Sequence, residues 1–221
     1  MLSLACGERP RSGERDAGRG APARVDSTPV VLFLGTSLTA GLGVDPEEAY
    51  PAVIQRRIDS VGLRDRVVNA GVSGETSAGG LRRIGWLLRE PVAVLVLELG
   101  ANDALRGQEP AATRRNLQAI IDSARGRDSG IAIVLAGMRA PPNLGVTYGR
   151  TFERLFVDLA RENTLALIPF LLDGVGGHAD LNQADGIHPT AAGHRIMAEN
   201  VWRVLEGVLR RRETGSGKRE T

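Results

Sequence analysis

Five residues carry the chemistry that this sequence offers: Ser37, Gly74, Asn102, Asp185 and His188. A serine hydroxyl is a poor nucleophile until an imidazole takes its proton, and the imidazole needs a carboxylate that holds it in the right tautomer. Asp185 and His188 stand three residues apart in a glycine-containing segment. The carboxylate can therefore hold one ring nitrogen while the other faces Ser37. These residue types predict a Ser–His–Asp site for acyl transfer.

Acyl transfer also needs hydrogen-bond donors where negative charge develops on the carbonyl oxygen. The candidates are the backbone N–H groups of Ser37 and Gly74 and the side-chain amide of Asn102. Glycine at position 74 would let the backbone approach the developing oxyanion closely. We therefore expect an oxyanion hole formed by Ser37, Gly74 and Asn102.

The elements that must position these residues alternate between strand and helix. Residues 30–34 are five apolar residues in a row, which predicts a strand buried on both faces. Further strands are predicted at 66–72, 92–97, 131–136 and 165–168, and helices at 46–61, 77–89, from 110, around 152–159 and at 190–210. The connections are long enough for parallel pairing. We expect an α/β fold with three layers (α/β/α) and a flavodoxin-like, doubly wound, five-stranded parallel sheet.

The predicted topology brings the five residues to one edge of the sheet. Ser37, Gly74 and Asn102 follow the first three strands, and Asp185 and His188 follow the fifth. The carboxyl ends of parallel strands share an edge, and open α/β sheets bind their ligands there. Each residue alone has a structural explanation, since a serine after a strand is often a turn or N-cap residue. Their joint occurrence at one edge favours a catalytic site.

The charge balance argues against a nucleic-acid partner. The formal net charge is +2, but residues 7–28 and 210–221 hold ten of the 28 basic and six of the 26 acidic residues. Residues 29–209 therefore carry 18 basic and 20 acidic residues, which is no basic footprint. No segment approaches the run of about 18 apolar residues that spans a membrane. We expect a small-molecule substrate, with neither nucleic acid nor an integral membrane segment involved.

Several nucleotide-binding and hydrolase motifs are missing. Lys218 is the only lysine, so the lysine of a P-loop is absent. The glycines at 41 and 43 lack the third glycine of a dinucleotide-binding motif, and the Gly-x-Ser-x-Gly elbow is absent because residue 39 is threonine. These absences exclude the commonest alternatives for a protein with this pattern.

One alternative stays open: a non-catalytic, flavodoxin-like module whose turn at 35–41 would hold a phosphate or a flavin. That alternative does not explain why Asp185 and His188 occur together. Aromatic residues make up only 4% of the chain, so few side chains could sandwich a flavin.

Cys6 is the only cysteine, which excludes an intramolecular disulfide and a thiolate metal cluster. The small and apolar residues before it look like the end of a bacterial lipoprotein signal peptide, but the apolar region of about 7–15 residues is almost absent. Either the start codon is placed too late, which predicts a lipid anchor at Cys6 and a periplasmic or cell-envelope location, or the match is by chance and the protein is cytoplasmic. We expect a signal remnant and flexible linker at 1–28, one folded domain at 29–209 and a disordered basic tail at 210–221.

Four sequence blocks, in order over residues 30–205, carry a family resemblance: 35–37, 69–76, 100–107 and 185–188. They resemble the SGNH (GDSL-type) hydrolases, most closely the bacterial acyl-CoA thioesterase I/lysophospholipase L1 group and its arylesterase relatives. The resemblance implies that Ser37 is the nucleophile, that Gly74 and Asn102 belong to the oxyanion hole, and that Asp185 and His188 complete the triad. The chain departs from the family at Thr36, where Asp is usual, and this leaves open how the nucleophile turn is held.

The resemblance also implies a serine esterase that hydrolyses aryl or short- to medium-chain carboxylic esters, with thioesters and lysophospholipids as further candidate substrates. The residues expected to line the substrate pocket are Leu105, Ala140, Pro142, Leu144 and Ile187. We expect no cofactor and no metal, because His178 and His194 lack the spacing of a zinc site. Glu98 and Asp103 are interpreted as structural carboxylates that accept hydrogen bonds from backbone groups near the loops.

Overall fold

The computed structural model describes residues 28–216, and its centre is a five-stranded parallel sheet. The strands are β1 (Val30–Gly35), β2 (Arg66–Gly71), β3 (Val94–Glu98), β4 (Ala132–Ala136) and β5 (Ala166–Ile168), in the spatial order β2-β1-β3-β4-β5. All four neighbouring pairs are parallel. The expected flavodoxin-like sheet is confirmed, because each crossover contains a helix that returns the chain to the starting edge.

The seven α-helices form the outer layers of the described part of the chain. They are α1 (Ser37–Ala40), α2 (Tyr50–Ser60), α3 (Ser77–Leu87), α4 (Ala101–Leu105), α5 (Pro110–Arg127), α6 (Val146–Glu162) and α7 (Ala191–Ser216). Helices α2 and α7 pack against each other, and α5 packs against both α3 and α6. Every residue of β1 and β3 is buried, as expected for apolar strands covered on both faces.

The register of the sheet determines which residues lie beside Gly35 at the carboxyl end of β1. Gly35 at the end of β1 pairs with Gly71 of β2 on one side and with Glu98 of β3 on the other. A Cβ at position 35 would lie 2.0 Å from Thr39 Oγ1 and 2.5 Å from a carboxylate oxygen of Glu98. Only glycine therefore leaves room for the polar groups that meet at this point.

The helix predicted at 46–61 is interrupted in the structure. Pro46–Glu48 forms a single 3₁₀ turn, Ala49 is extended, and α2 begins at Tyr50 with Pro51 in its first turn. Proline has no N–H and its ring clashes with the carbonyl four residues earlier, so Pro51 cannot lie in the second turn of a helix that starts at Pro46. The chain restarts the helix instead.

The tail predicted from residue 210 is wrong for residues 210–216, because α7 continues to Ser216. Arg210 pairs with Glu206 one turn earlier, at 2.8 Å. Arg212 donates to the buried carboxylate of Asp65 at 3.0 Å, which ties this end of α7 to the segment before β2. Residues 1–27, including Cys6, and residues 217–221 lie outside the described part of the chain.

No helix within residues 28–216 is both long and apolar enough to cross a membrane.

Candidate active site

The nucleophile turn is a short helical turn directly after β1. Thr36 is the N-cap of α1 and its hydroxyl accepts a weak hydrogen bond from the N–H of Leu38, at 3.4 Å. Ser37 is the first residue of α1, and Gly41 ends the helix in the left-handed conformation with φ 78°. This turn places the Ser37 side chain at the edge of the sheet, where 9% of the residue is exposed.

The loop before α7 brings Asp185 and His188 to the same edge. The Nε2 atom of His188 lies 2.9 Å from Ser37 Oγ, although 151 residues separate the two in sequence. The Nδ1 atom of His188 lies 2.6 Å from Oδ2 of Asp185. The second carboxylate oxygen of Asp185 accepts the N–H groups of Ile187 and His188, at 2.9 and 3.0 Å. The three side chains form one continuous hydrogen-bonded line.

The electrostatics of this line favour a charged Asp185. The hydrogen bond from the His188 ring and the two backbone N–H groups lower the pKa of Asp185 well below its usual range, although 45% of the side chain is exposed. A carboxylate at this position accepts the proton of Nδ1 and leaves the lone pair of Nε2 facing Ser37. In this tautomer, His188 can take a proton from the serine hydroxyl.

Ser37, Gly74 and Asn102, the expected oxyanion donors, line the same cavity. Within residues 28–216, no acceptor is found for the N–H of Ser37 or of Gly74. Gly74 has φ 77°, a backbone conformation that residues with a side chain rarely adopt. The backbone conformation therefore favours glycine here, although a Cβ at this position would have space. The amide nitrogen of Asn102 donates one hydrogen to the carbonyl of Glu75 at 3.0 Å, and its second hydrogen is available to a substrate.

Two side chains form hydrogen bonds with the segments that carry these donors. Arg106 donates to the carbonyl of Gly74 at 3.0 Å and so joins the loop after β2 to the end of α4. Asp103 is fully buried and accepts the N–H of Ser77 at 2.8 Å and the hydroxyl of Thr113 at 3.3 Å. The interpretation of Asp103 as a structural carboxylate is therefore confirmed.

A cavity of about 540 Å³ opens at Ser37 and His188. This volume lies within the range of about 300–1,000 Å³ that is usual for small-molecule sites. Leu105, Ala140 and Ile187, which were expected at the substrate pocket, line this cavity. Leu144 does not line the cavity: it ends the 3₁₀ turn Pro142–Leu144 and packs against the hydrophobic core. Pro142, which was also expected to line the substrate pocket, lines this cavity together with Pro141.

Several lining residues were not identified from the sequence. They are Leu42 after α1, Met138 and Arg139 after β4, and Phe170 and Leu172 after β5. Each follows an element that ends at the site edge, so the strand-end rule could have found them. Because Leu42, Leu105 and Ile187 are also about half exposed, apolar side chains stand around the cavity mouth.

His194 lies away from the cavity. His194 is buried on α7, its Nδ1 atom accepts the N–H of Tyr50 at 3.2 Å, and burial lowers its pKa to about 4. In the described part of the chain, no three His, Cys, Asp or Glu side chains are arranged to hold a metal ion.

Comparison with known proteins places this geometry in a family. The model of the GDSL-like lipase/acylhydrolase family matches residues 33–196. The chain is 43% identical over 180 residues to the esterase TesA of Pseudomonas aeruginosa, covering 81% of this chain and 89% of that protein. The chain belongs to the GDSL-like lipase/acylhydrolase family. It is a carboxylic ester hydrolase, and this excludes the alternative of a non-catalytic phosphate- or flavin-binding module.

Two further relatives support the assignment. The thioesterase 1/protease 1/lysophospholipase L1 of Escherichia coli K12 is 35% identical over 188 residues, which cover 84% of this chain and 88% of the relative. The crystal structure of the psychrotrophic esterase EstA from Pseudoalteromonas sp., inhibited by monoethylphosphonate, superposes with a TM-score of 0.76 at 30% identity and covers 82% of this chain and 98% of EstA. The three-layer fold is shared with EstA.

Proposed function

We propose that Ser37 is the nucleophile of this ester hydrolase, that His188 is its general base, and that Asp185 orients the base. The observation that carries the proposal is the pair of hydrogen bonds that runs from Ser37 through both ring nitrogens of His188 to Asp185, at 2.9 and 2.6 Å. A serine, an imidazole and a carboxylate in this order are the parts that acyl transfer requires.

The first half of the reaction acylates Ser37. The serine oxygen attacks the ester carbonyl while its proton passes to Nε2 of His188. The carbonyl oxygen becomes an oxyanion that accepts hydrogen bonds from the N–H groups of Ser37 and Gly74 and from the amide of Asn102. The tetrahedral intermediate collapses, the bond to the leaving group breaks, and His188 gives its proton to the departing alkoxide or thiolate.

The second half releases the acid. A water molecule attacks the acyl-serine carbonyl as His188 takes one of its protons, and the same donors stabilise the second oxyanion. The bond to Ser37 then breaks, and His188 returns the proton to the serine oxygen. Asp185 stays ionised throughout and stabilises the imidazolium that forms in each half, so the chain's own residues account for every proton transfer.

An alkyl fluorophosphonate tests the nucleophile, because the serine oxygen displaces fluoride and forms a stable phosphonyl ester. We expect one label per wild-type chain, located on Ser37 by peptide mass spectrometry, and no label on Ser37→Ala. EstA is inhibited by monoethylphosphonate, an inhibitor of the same chemical class. Equal labelling of wild type and Ser37→Ala would overturn the assignment.

The substrates proposed are aryl and short- to medium-chain acyl esters, with thioesters and lysophospholipids as further members. The apolar lining of the cavity supports an acyl chain, and relatives are named esterase, arylesterase, and thioesterase/lysophospholipase. A series of p-nitrophenyl esters from acetate to palmitate, measured beside acyl-CoA and lysophospholipid, tests this range. We expect kcat/KM to peak at short to medium chains, and a steady rise up to palmitate would contradict the proposal.

A periplasmic or cell-envelope location is proposed from the sequence around Cys6 alone, which lies outside the described residues. Mass spectrometry of the N-terminus from the native host decides the matter. A diacylglyceryl group on Cys6 in the membrane fraction would support the anchor, and an unmodified chain in the cytoplasmic fraction would refute it.

A further inference from the structure

A buried carboxylate lies directly beneath the nucleophile turn. Glu98 is the last residue of β3, is fully buried, and pairs in register with Gly35. Its side chain accepts the N–H of Thr36 at 2.8 Å, the hydroxyl of Thr36 at 3.0 Å and the hydroxyl of Thr39 at 2.8 Å. All three donors belong to the turn that carries Ser37, so one side chain holds the turn on both sides of the serine.

The network extends from Glu98 to the helices behind the turn. Thr39 Oγ1 lies 2.7 Å from the hydroxyl of Tyr50 on α2. The Thr39 hydroxyl donates its proton to the carboxylate of Glu98, so its oxygen must accept the hydrogen bond from the hydroxyl of Tyr50. An ionised Glu98 therefore sets the direction of both hydrogen bonds that Thr39 forms. The N–H of Tyr50 in turn donates to His194 on α7. The turn is thereby connected to the layer formed by α2 and α7.

In the described part of the chain, no positive side chain is paired with this carboxylate. Among the side chains of residues 28–216, no arginine or histidine forms an ion pair with Glu98. The ionisable groups of the network, Tyr50 and His194, are both neutral at pH 7, since burial raises the pKa of the first and lowers that of the second. Burial also raises the pKa of Glu98, to about 7, against the opposing effect of its three donors.

We propose that Glu98 is a positioning residue for the hydrolysis reaction, acting through Thr36 and Thr39 on the orientation of Ser37. With the N–H of Thr36 directed at Glu98, the next N–H along the chain, that of Ser37, has no acceptor among residues 28–216 and can donate to the oxyanion. This inference rests on the proposed role of Ser37 as nucleophile and oxyanion donor.

The proposal predicts a loss of turnover with little loss of substrate binding. In Glu98→Gln an NH₂ group replaces one of the two carboxylate oxygens that accept these hydrogen bonds, so at least one hydrogen bond from the turn is lost and the turn shifts. We expect kcat for a p-nitrophenyl ester to fall about 10- to 100-fold, as for small misplacements of reacting groups, with KM within about twofold of wild type. The rate of Ser37 labelling by a fluorophosphonate should fall in parallel.

A pH profile separates positioning from a purely structural role. On the acid side, protonation of Glu98 removes an acceptor from the nucleophile turn and so lowers the activity of the wild type. Glu98→Gln has no carboxylate at this position and lacks this contribution. We therefore expect the acid limb of log(kcat/KM) to be steeper in wild type than in Glu98→Gln.

Asp65→Asn is the matched control, because Asp65 is a buried carboxylate at the opposite edge of the sheet, paired with Arg212. We expect it to lower stability and leave kcat and the pH profile unchanged. A folded Glu98→Gln with wild-type kcat and an unchanged acid limb would overturn the positioning role. The proposed function fails separately, if Ser37→Ala keeps its activity and its phosphonate label.

If Glu98→Gln does not fold, Thr36→Val and Thr36→Ser decide the question. Valine has the shape of threonine without the hydroxyl that donates to Glu98, whereas serine keeps the hydroxyl. We expect kcat to fall in the valine variant and to stay near wild type in the serine variant. Equal kcat in the two variants would overturn the proposal.

Discussion

Thr36 shows how one side chain can both cap a helix and bind a buried carboxylate. Its hydroxyl oxygen accepts the N–H of Leu38, and its proton goes to Glu98. An aspartate, usual at this position in the family, can accept from the same N–H, but its carboxylate has no proton to give to Glu98 when ionised. The departure from the family pattern therefore supplies an additional donor to Glu98.

The substitution Thr36→Asp should make stability depend more strongly on pH. Two carboxylates in one buried site cannot both ionise freely, so one pKa rises above that of Glu98 in wild type. The folded state then holds its proton to higher pH than the unfolded state, and the free energy of unfolding falls as pH rises. Urea unfolding at pH 5 and pH 8 measures the effect. A variant that loses no more stability than wild type between these values would contradict it.

Asn102 is the donor of the candidate oxyanion hole that can be removed without changing the backbone. Asn102→Ala should lower kcat by about 10²–10³ with little change in KM, because the oxyanion exists only in the transition state and the intermediates that follow. Steady-state kinetics with a p-nitrophenyl ester measure both constants. Asn116→Ala, which removes an amide bonded to Ser77 on another helix, is the control. A rise in KM alone for Asn102→Ala would argue against the role.

At the scale of elements, the loop before α7 is held by a hydrogen bond within the loop and by another to the segment that follows the nucleophile turn. The N–H of Gln183 donates to the carbonyl of His188 at 2.7 Å, and Gly186 turns the loop with φ 70°. The side-chain amide of Gln183 reaches the carbonyl of Leu42 at 2.7 Å, just after α1. Gln183 thus connects the segment that carries His188 to the one that carries Ser37.

Replacing Gln183 should separate these two segments. We expect Gln183→Ala to lower kcat about tenfold, because the 2.9 Å contact between His188 and Ser37 depends on a fixed distance between their loops. Gln118→Ala, on α5 and bonded to Asp122 and Asn163, is a matched loss of a side-chain amide away from the site. Both variants are assayed at a temperature where both are folded. An unchanged kcat in Gln183→Ala would then show that the loop keeps its position without the hydrogen bond from Gln183 to Leu42.

At the scale of the whole molecule, two buried groups make stability depend on pH in opposite directions. Glu98 has its pKa raised to about 7, so folding binds a proton between the unfolded pKa and 7, and stability falls as pH rises through this window. His194 has its pKa lowered to about 4, so the unfolded chain binds the extra proton, and stability falls as pH drops from about 6.5 to 4.

The variant Glu98→Gln isolates the first effect, because His194 is the same in both proteins. Relative to this variant, wild type should lose about 3 kcal/mol of unfolding free energy between pH 4.5 and pH 7.5, from 1.36 kcal/mol for each unit of pKa shift. Urea unfolding of both proteins across this range gives the difference. A constant difference would mean that Glu98 does not titrate in this window in the folded state.

The fold class, and the edge of the sheet where the polar residues gather, could be predicted from the residues alone. Apolar runs and helical periodicity report local structure, and a parallel sheet sends every strand end to one edge, so Ser37, Asn102 and His188 could be placed together without coordinates. The interpretation of Glu98 as a carboxylate that accepts backbone hydrogen bonds was confirmed for the same reason: it stands at a strand end.

The contacts of these side chains, in contrast, depend on how distant segments pack and could not be predicted from the residues. The register of β1 on β3 sets Gly35 beside Glu98 and so lets the carboxylate reach Thr36, 62 residues away in sequence. The link from Gln183 to Leu42 and the packing of Leu144 against the core likewise depend on how loops fold over one another. Periodicity carries no information on such distances, because a hydrogen bond between distant segments depends on packing to within a few tenths of an ångström.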